Sequence, residues 1–79
     1  MTDKVKLLDS VALTKPMLSV EGIALVPGQT GTVVEQLADQ HLLVEFANRH
    51  GEAYAFATAP ARDLLVLHHS PVEHAGRAA

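Results

Sequence analysis

Residues 41–47, His-Leu-Leu-Val-Glu-Phe-Ala, alternate with a period of two. That spacing sets Leu42, Val44 and Phe46 on one side of an extended chain and His41, Leu43, Glu45 and Ala47 on the other, so it predicts a strand with one buried face. Asn48-Arg49-His50-Gly51 then predicts a hairpin loop, with Gly51 supplying the positive φ such loops need. Glu52–Thr58 returns as a second strand, with Tyr54 and Phe56 on one face and Ala53, Ala55 and Ala57 on the other. Upstream, Ala38-Asp39-Gln40 is a short polar connection from a strand over Thr32–Leu37, and the three strands read as a meander.

Turn-forming residues bound the rest. Leu7–Leu13 is a first, imperfectly alternating strand, stopped where Pro16 biases Lys15 to extended backbone and withholds a donor. Pro16–Gly22 is a loop and Ile23–Val26 a brief extended segment. Pro27 and Gly28 suit the two central positions of a type II turn, and Gly31 stands where a strand usually has a bulge or a close backbone approach. Ala59–Asp63 is one turn, of 3₁₀ kind, before a last strand over Leu64–Leu67. About five short strands in roughly 60 residues predict an all-β fold, a small SH3-like barrel of antiparallel strands. The expected organisation is a flexible N-terminus over 1–6, the barrel over 7–67 and a disordered, flexible tail over 68–79.

A domain of 79 residues buries only a little over roughly 60% of its unfolded surface, so its core must be economical. The chain is 48% hydrophobic, yet Phe46, Tyr54 and Phe56 are its only aromatic residues. A core of Leu, Val, Ile and Ala is thin, which points to completion against another chain. Cysteine is absent, removing disulfides and thiolate chemistry. A net charge of −3 disfavours a nucleic-acid surface. Charges scattered through the first nine residues interrupt any signal-peptide core, and no run approaches membrane-spanning length. The expectation is a soluble cytoplasmic protein.

Three stretches, "LLDSVALT", "GIALVPGQTGTVVEQL" and "LLVEFANRHGEAYAFATAPARDLLVL", resemble a family of small uncharacterised bacterial proteins carrying a domain of unknown function. The likeness rests on the Gly-Thr-Val-Val element and on the Val-Glu-Phe strand that leads through a hairpin into Gly-Glu-x-Tyr-Ala, and it spans residues 7–67. It implies an SH3-like barrel, no established enzymatic activity and, in some relatives, association with toxin-like or other neighbouring proteins. The alanine-rich strand and the histidine-containing tail depart from the family's pattern. A weaker similarity is to ribosome- and transcription-associated barrels, but those carry a basic surface, and the strand here holds Glu35 without Lys or Arg.

The glycine-rich "PGQTGT" lacks a lysine and leads into a strand rather than a helix, so it is a β-corner and not a phosphate cradle. His68, His69 and His74 crowd beside Glu73, but adjacent strand residues point to opposite faces and no surrounding structure holds the rings, so no metal site is expected. His41 and His50 read as surface residues. Glu35, Glu45 and Glu52 have no spacing that fixes two of them at a cleft, and the serines have no positioned base. Ala53, Ala55 and Ala57 fit the tight interior of a small barrel, with a protein interface as the alternative.

These observations favour a non-enzymatic interaction module without cofactor, binding another protein or itself. Leu43, Arg49, His50 and Tyr54 are its candidate contacts; Pro27, Gly28, Gly31 and Gly51 are structural turn residues. An antitoxin- or immunity-like role, or service as an accessory subunit, is the specific form of that reading. A nucleic-acid-associated barrel and a small-molecule- or metal-responsive accessory protein are the alternatives.

Overall fold

The computed structural model describes residues 4–68 and is all-β. Seven strands follow in order: β1 (Ser10–Leu13), β2 (Met17–Leu18), β3 (Ala24–Leu25), β4 (Thr30–Gln36), β5 (His41–Ala47), β6 (Ala53–Pro60) and β7 (Leu64–Leu67), with 3₁₀ turns at Ala38–Gln40 and Ala61–Asp63. Five of them form one antiparallel sheet in the order β6-β5-β4-β1-β7, and β2 pairs with β3 apart from it.

The period of two decides which face is buried. Leu42, Val44 and Phe46 of β5 are at most 4% exposed, and Ala55, Ala57 and Ala59 of β6 at most 1%. Ala55, Ala57 and Ala59 therefore line the interior, whereas Ala53, beside the register shift, is exposed, not interior as expected; Tyr54 is exposed and Phe56 half-buried on the other face. Val11, Leu13, Leu25, Val33 and Leu64 complete the core together with Val5, which lies ahead of the first strand.

The first strand is shorter than its hydrophobicity predicts. Asp9 N–H donates to the Lys6 carbonyl at 3.1 Å, and the Asp9 carboxylate accepts the Lys6 N–H at 2.8 Å, closing a turn that puts Leu8 at φ 71°. β1 accordingly begins at Ser10, and Leu7 and Leu8 are exposed.

The loop expected over Pro16–Gly22 instead contains β2 and the reversal of a small hairpin. Ser19 N–H donates to the Ile23 carbonyl, the Ile23 N–H returns to Ser19 Oγ, and Gly22 N–H closes on the Ser19 carbonyl. Val20 and Glu21 at its tip reach the outer edge of β6: Val20 N–H donates to the Phe56 carbonyl at 2.7 Å and Phe56 N–H donates to Glu21 Oε1 at 3.0 Å.

Among the described residues, the sheet does not close into a barrel. β6 and β7 are its two edges, and no ladder joins them. The hairpin tip occupies hydrogen-bonding groups on the β6 edge that a closing strand would use.

Bends are local. The β4–β5 register shifts between Val33 and Glu35, and the β5–β6 register shifts between Phe46 and Ala47. Such shifts curve a strand and increase its twist. Gly31 is paired opposite Val11, away from the β4 shift. A Cβ at Gly31 would stand 2.7 Å from the Glu45 carbonyl oxygen, so the backbone of β5 passes where any other residue would carry a side chain. At the preceding corner Gln29 N–H bonds the Val26 carbonyl across Pro27 and Gly28, with Gly28 at φ 95°, the geometry of a type II turn.

Candidate functional site

Two surfaces of the described residues bear on function. The first is the outward face of the β2–β3 hairpin. Met17 and Leu25 turn inward, and that leaves Leu18 and Val20 about 70% exposed, with Ile23 and Val26 partly exposed beside them. Tyr54 borders this region, since its hydroxyl accepts a 2.9 Å bond from Gln29 Nε2 while Gln29 Oε1 accepts the Val26 N–H at 2.7 Å.

The second surface is a cleft of about 570 Å³ at the end of the sheet where the two 3₁₀ turns lie. Val5, Leu42 and Leu64 form an apolar floor, and Lys4, Lys6, Arg62 and His41 surround it with Gln36 and Gln40. Among the described residues, no Asp or Glu lines it. Among the described residues the ion pair is elsewhere, between Lys15 Nζ and Asp63 Oδ1 at 3.7 Å, so the cleft's three permanent cations lack a carboxylate partner there. His41 Nδ1 lies 2.9 Å from the Asp39 carbonyl. A carbonyl only accepts, so Nδ1 carries the proton and Nε2 is the nitrogen left for another partner.

The residues singled out from the sequence do not gather into one patch. Arg49 and His50 occupy the exposed β5–β6 turn, where Asn48 Oδ1 accepts the His50 N–H at 2.8 Å and Glu52 N–H at 3.1 Å, and Gly51 takes φ 82°. Leu43 is half-buried on the outer face of β5, between Glu35 and Thr58. It stands about 13 Å at roughly 3.3 Å per residue from Ala47, where β5 ends ahead of the turn that carries Arg49. Tyr54 belongs with the β2–β3 hairpin instead. His69, His74 and Glu73 lie outside the described residues; among those described, no group of three His, Asp or Glu side chains is placed to hold a metal ion. No helix there is long and apolar enough to cross a membrane.

Among the described residues, Glu21 has the one clearly displaced carboxyl. The Phe56 N–H bond holds it below the ordinary value of 4.5, aided by its own N–H and the Ser19 hydroxyl and opposed by desolvation. Its ionised form is thus part of the latch between the hairpin and β6.

A family model described as "Domain of unknown function (DUF4926)" matches residues 7–66. The chain belongs to the DUF4926 family. No curated protein and no solved structure matches it. The DUF4926 match takes in the whole five-stranded sheet except Leu67, and the hairpin as well, whereas Lys4, Val5 and Lys6 of the cleft precede it. Sequence reasoning missed the cleft because Lys6 and Arg62 are far apart in the chain; only the fold brings them to one opening.

Proposed function

We propose that this DUF4926 protein is a non-catalytic protein-interaction module on an SH3-like scaffold. Three features support the scaffold: the antiparallel order β6-β5-β4-β1-β7, a long excursion between the first two strands of that sheet, and a 3₁₀ turn leading into the last. The functional reading is carried by the hairpin's apolar outer face. Leu18 is 69% and Val20 73% exposed, on an element that has already turned Leu25 into the core. Several large apolar side chains exposed on one short hairpin are a common mark of a protein interface.

Tyr54 is the aromatic contact at its border, and Arg49, His50 and Leu43 are further contacts on the loop tip and outer face. The partner is another protein or a second copy, with an antitoxin- or immunity-like pairing in the cytoplasm as the specific form. The serine chemistry favours a structural role, since the buried Ser19 Oγ is engaged by the Ile23 N–H.

The test is light-scattering mass measured over a range of concentrations, alone and with soluble lysate from the source, for the wild type and for Leu18→Asp/Val20→Asp. The expected result is self-association or a retained partner that the double variant loses while its circular dichroism is unchanged. A wild type that stays monomeric and retains nothing overturns the reading.

A further inference from the structure

We propose that the cleft beside the two 3₁₀ turns binds an acidic peptide segment bearing apolar side chains; this rests on the interaction-module reading above and names a second contact for it. The chain has six Lys and Arg against nine Asp and Glu, yet among the described residues Lys4, Lys6 and Arg62 line this one opening and no carboxylate does. Over a Debye length of about 8–10 Å a bound segment responds to the charges at the opening more than to the net charge of the molecule. There the three cations line the cleft, and the carboxylates of Asp9, Asp39 and Asp63 are beside the lining residues without lining it.

The floor narrows the ligand class. Val5, Leu42 and Leu64 offer apolar surface that an isolated inorganic anion would not use. Single-stranded nucleic acid stacks its bases on aromatic rings, but Phe46, Tyr54 and Phe56 are the chain's Phe and Tyr residues and none lines the cleft. A long polyanion would also meet the negative remainder of the surface. Carboxylates paired with Leu- or Ile-like side chains satisfy both the rim and the floor, and the cleft volume of about 570 Å³ lies within the roughly 300–1,000 Å³ typical of binding pockets.

The rim carries a second sign. Asp39 and Gln40 both have φ 59°, a left-handed pair in which glycine is the favoured second residue. At Gln40 the chain keeps a residue with a side chain, and that residue lines the cleft.

The experiment is fluorescence anisotropy with three probes of equal length: a labelled peptide of Glu, Asp and Leu; the same peptide with Lys in place of its acidic residues; and a single-stranded oligonucleotide. The acidic peptide is expected to bind, with affinity falling as salt is added, and the basic peptide is not. Lys6→Glu/Arg62→Glu is expected to weaken binding at least about tenfold, with Lys6→Gln/Arg62→Gln in between; thermal melts verify that each variant is folded. Equal binding of both peptides, preference for the oligonucleotide, or full affinity in the double charge reversal overturns the proposal. A protein that ignores the acidic peptide yet loses a partner on Leu18→Asp/Val20→Asp overturns this inference while leaving the interaction-module reading in place.

Discussion

At Gly31 a missing side chain decides how β4 meets β5. The Glu45 carbonyl oxygen and Val44 Cγ1 both lie 2.7 Å from where a Cβ would be, and a paired strand backbone cannot move aside independently. Gly31→Ala is therefore expected to cost about 1–3 kcal/mol, the usual range for overpacking, measurable as a lower urea midpoint at unchanged slope. Gln40 presents the opposite case. Its φ of 59° is unfavourable for any residue with a Cβ, by roughly 1–2 kcal/mol, and glycine would relieve this less its own entropic cost. Gln40→Gly is expected to stabilise the fold by about 1 kcal/mol, a rise of roughly 4–8 °C in Tm for a domain of this size. A protein that gains stability this way while losing affinity for the acidic peptide would show what the glutamine is for.

The two small hairpins share one plan. Ser19 and Asn48 each accept backbone N–H groups on a side-chain oxygen, and Gly22 and Gly51 follow three residues later at φ 85° and 82°. The second hairpin is legible because strong strands flank it; the first is obscured by Pro16 and by strands of only two residues. The Ser-x-x-Gly spacing, set beside Asn-x-x-Gly, is the signal that would have found it. The latch of that hairpin on β6 is pH-sensitive. Glu21 has a lowered carboxyl in the folded protein, so the unfolded chain binds the proton more tightly; the latch's contribution is present above 4.5 and is lost as pH falls through the lower folded value. The Phe56 amide resonance should titrate with a midpoint below 4.5, and Glu21→Gln should abolish that titration. A midpoint at or above the ordinary value would show the latch absent in solution.

For the whole molecule, the scarcity of large side chains sets the stability. Phe46 is the largest fully buried side chain, and small residues surround much of it, including Ala55 opposite on β6. Phe46→Ala is expected to cost about 3–5 kcal/mol, against a total of roughly 4–12 kcal/mol for a chain of 79 residues. Circular dichroism should show the variant largely unfolded near room temperature or melting far below the wild type. Val5 also belongs to this core, 8% exposed, with its carbonyl 3.5 Å from Gln36 Nε2. The segment ahead of β1 thus reaches across to the far end of β4, and in doing so it carries Lys4 and Lys6 to the cleft.

Local chemistry in the sequence is sufficient for the strand character of β4 to β7, the inward face of β5, the Pro27-Gly28 corner and the Asn48–Glu52 reversal. Each depends on alternation or on a φ that a single residue type favours, and both are properties of neighbouring positions. The tertiary structure alone decided that the sheet stays open with a hairpin latched to its edge, that Gly31 yields space to β5, and that Lys6, His41 and Arg62 share one opening. Those outcomes depend on which segments meet across tens of residues, and the hydrophobic pattern that makes a strand does not encode which edge or end another segment will cover.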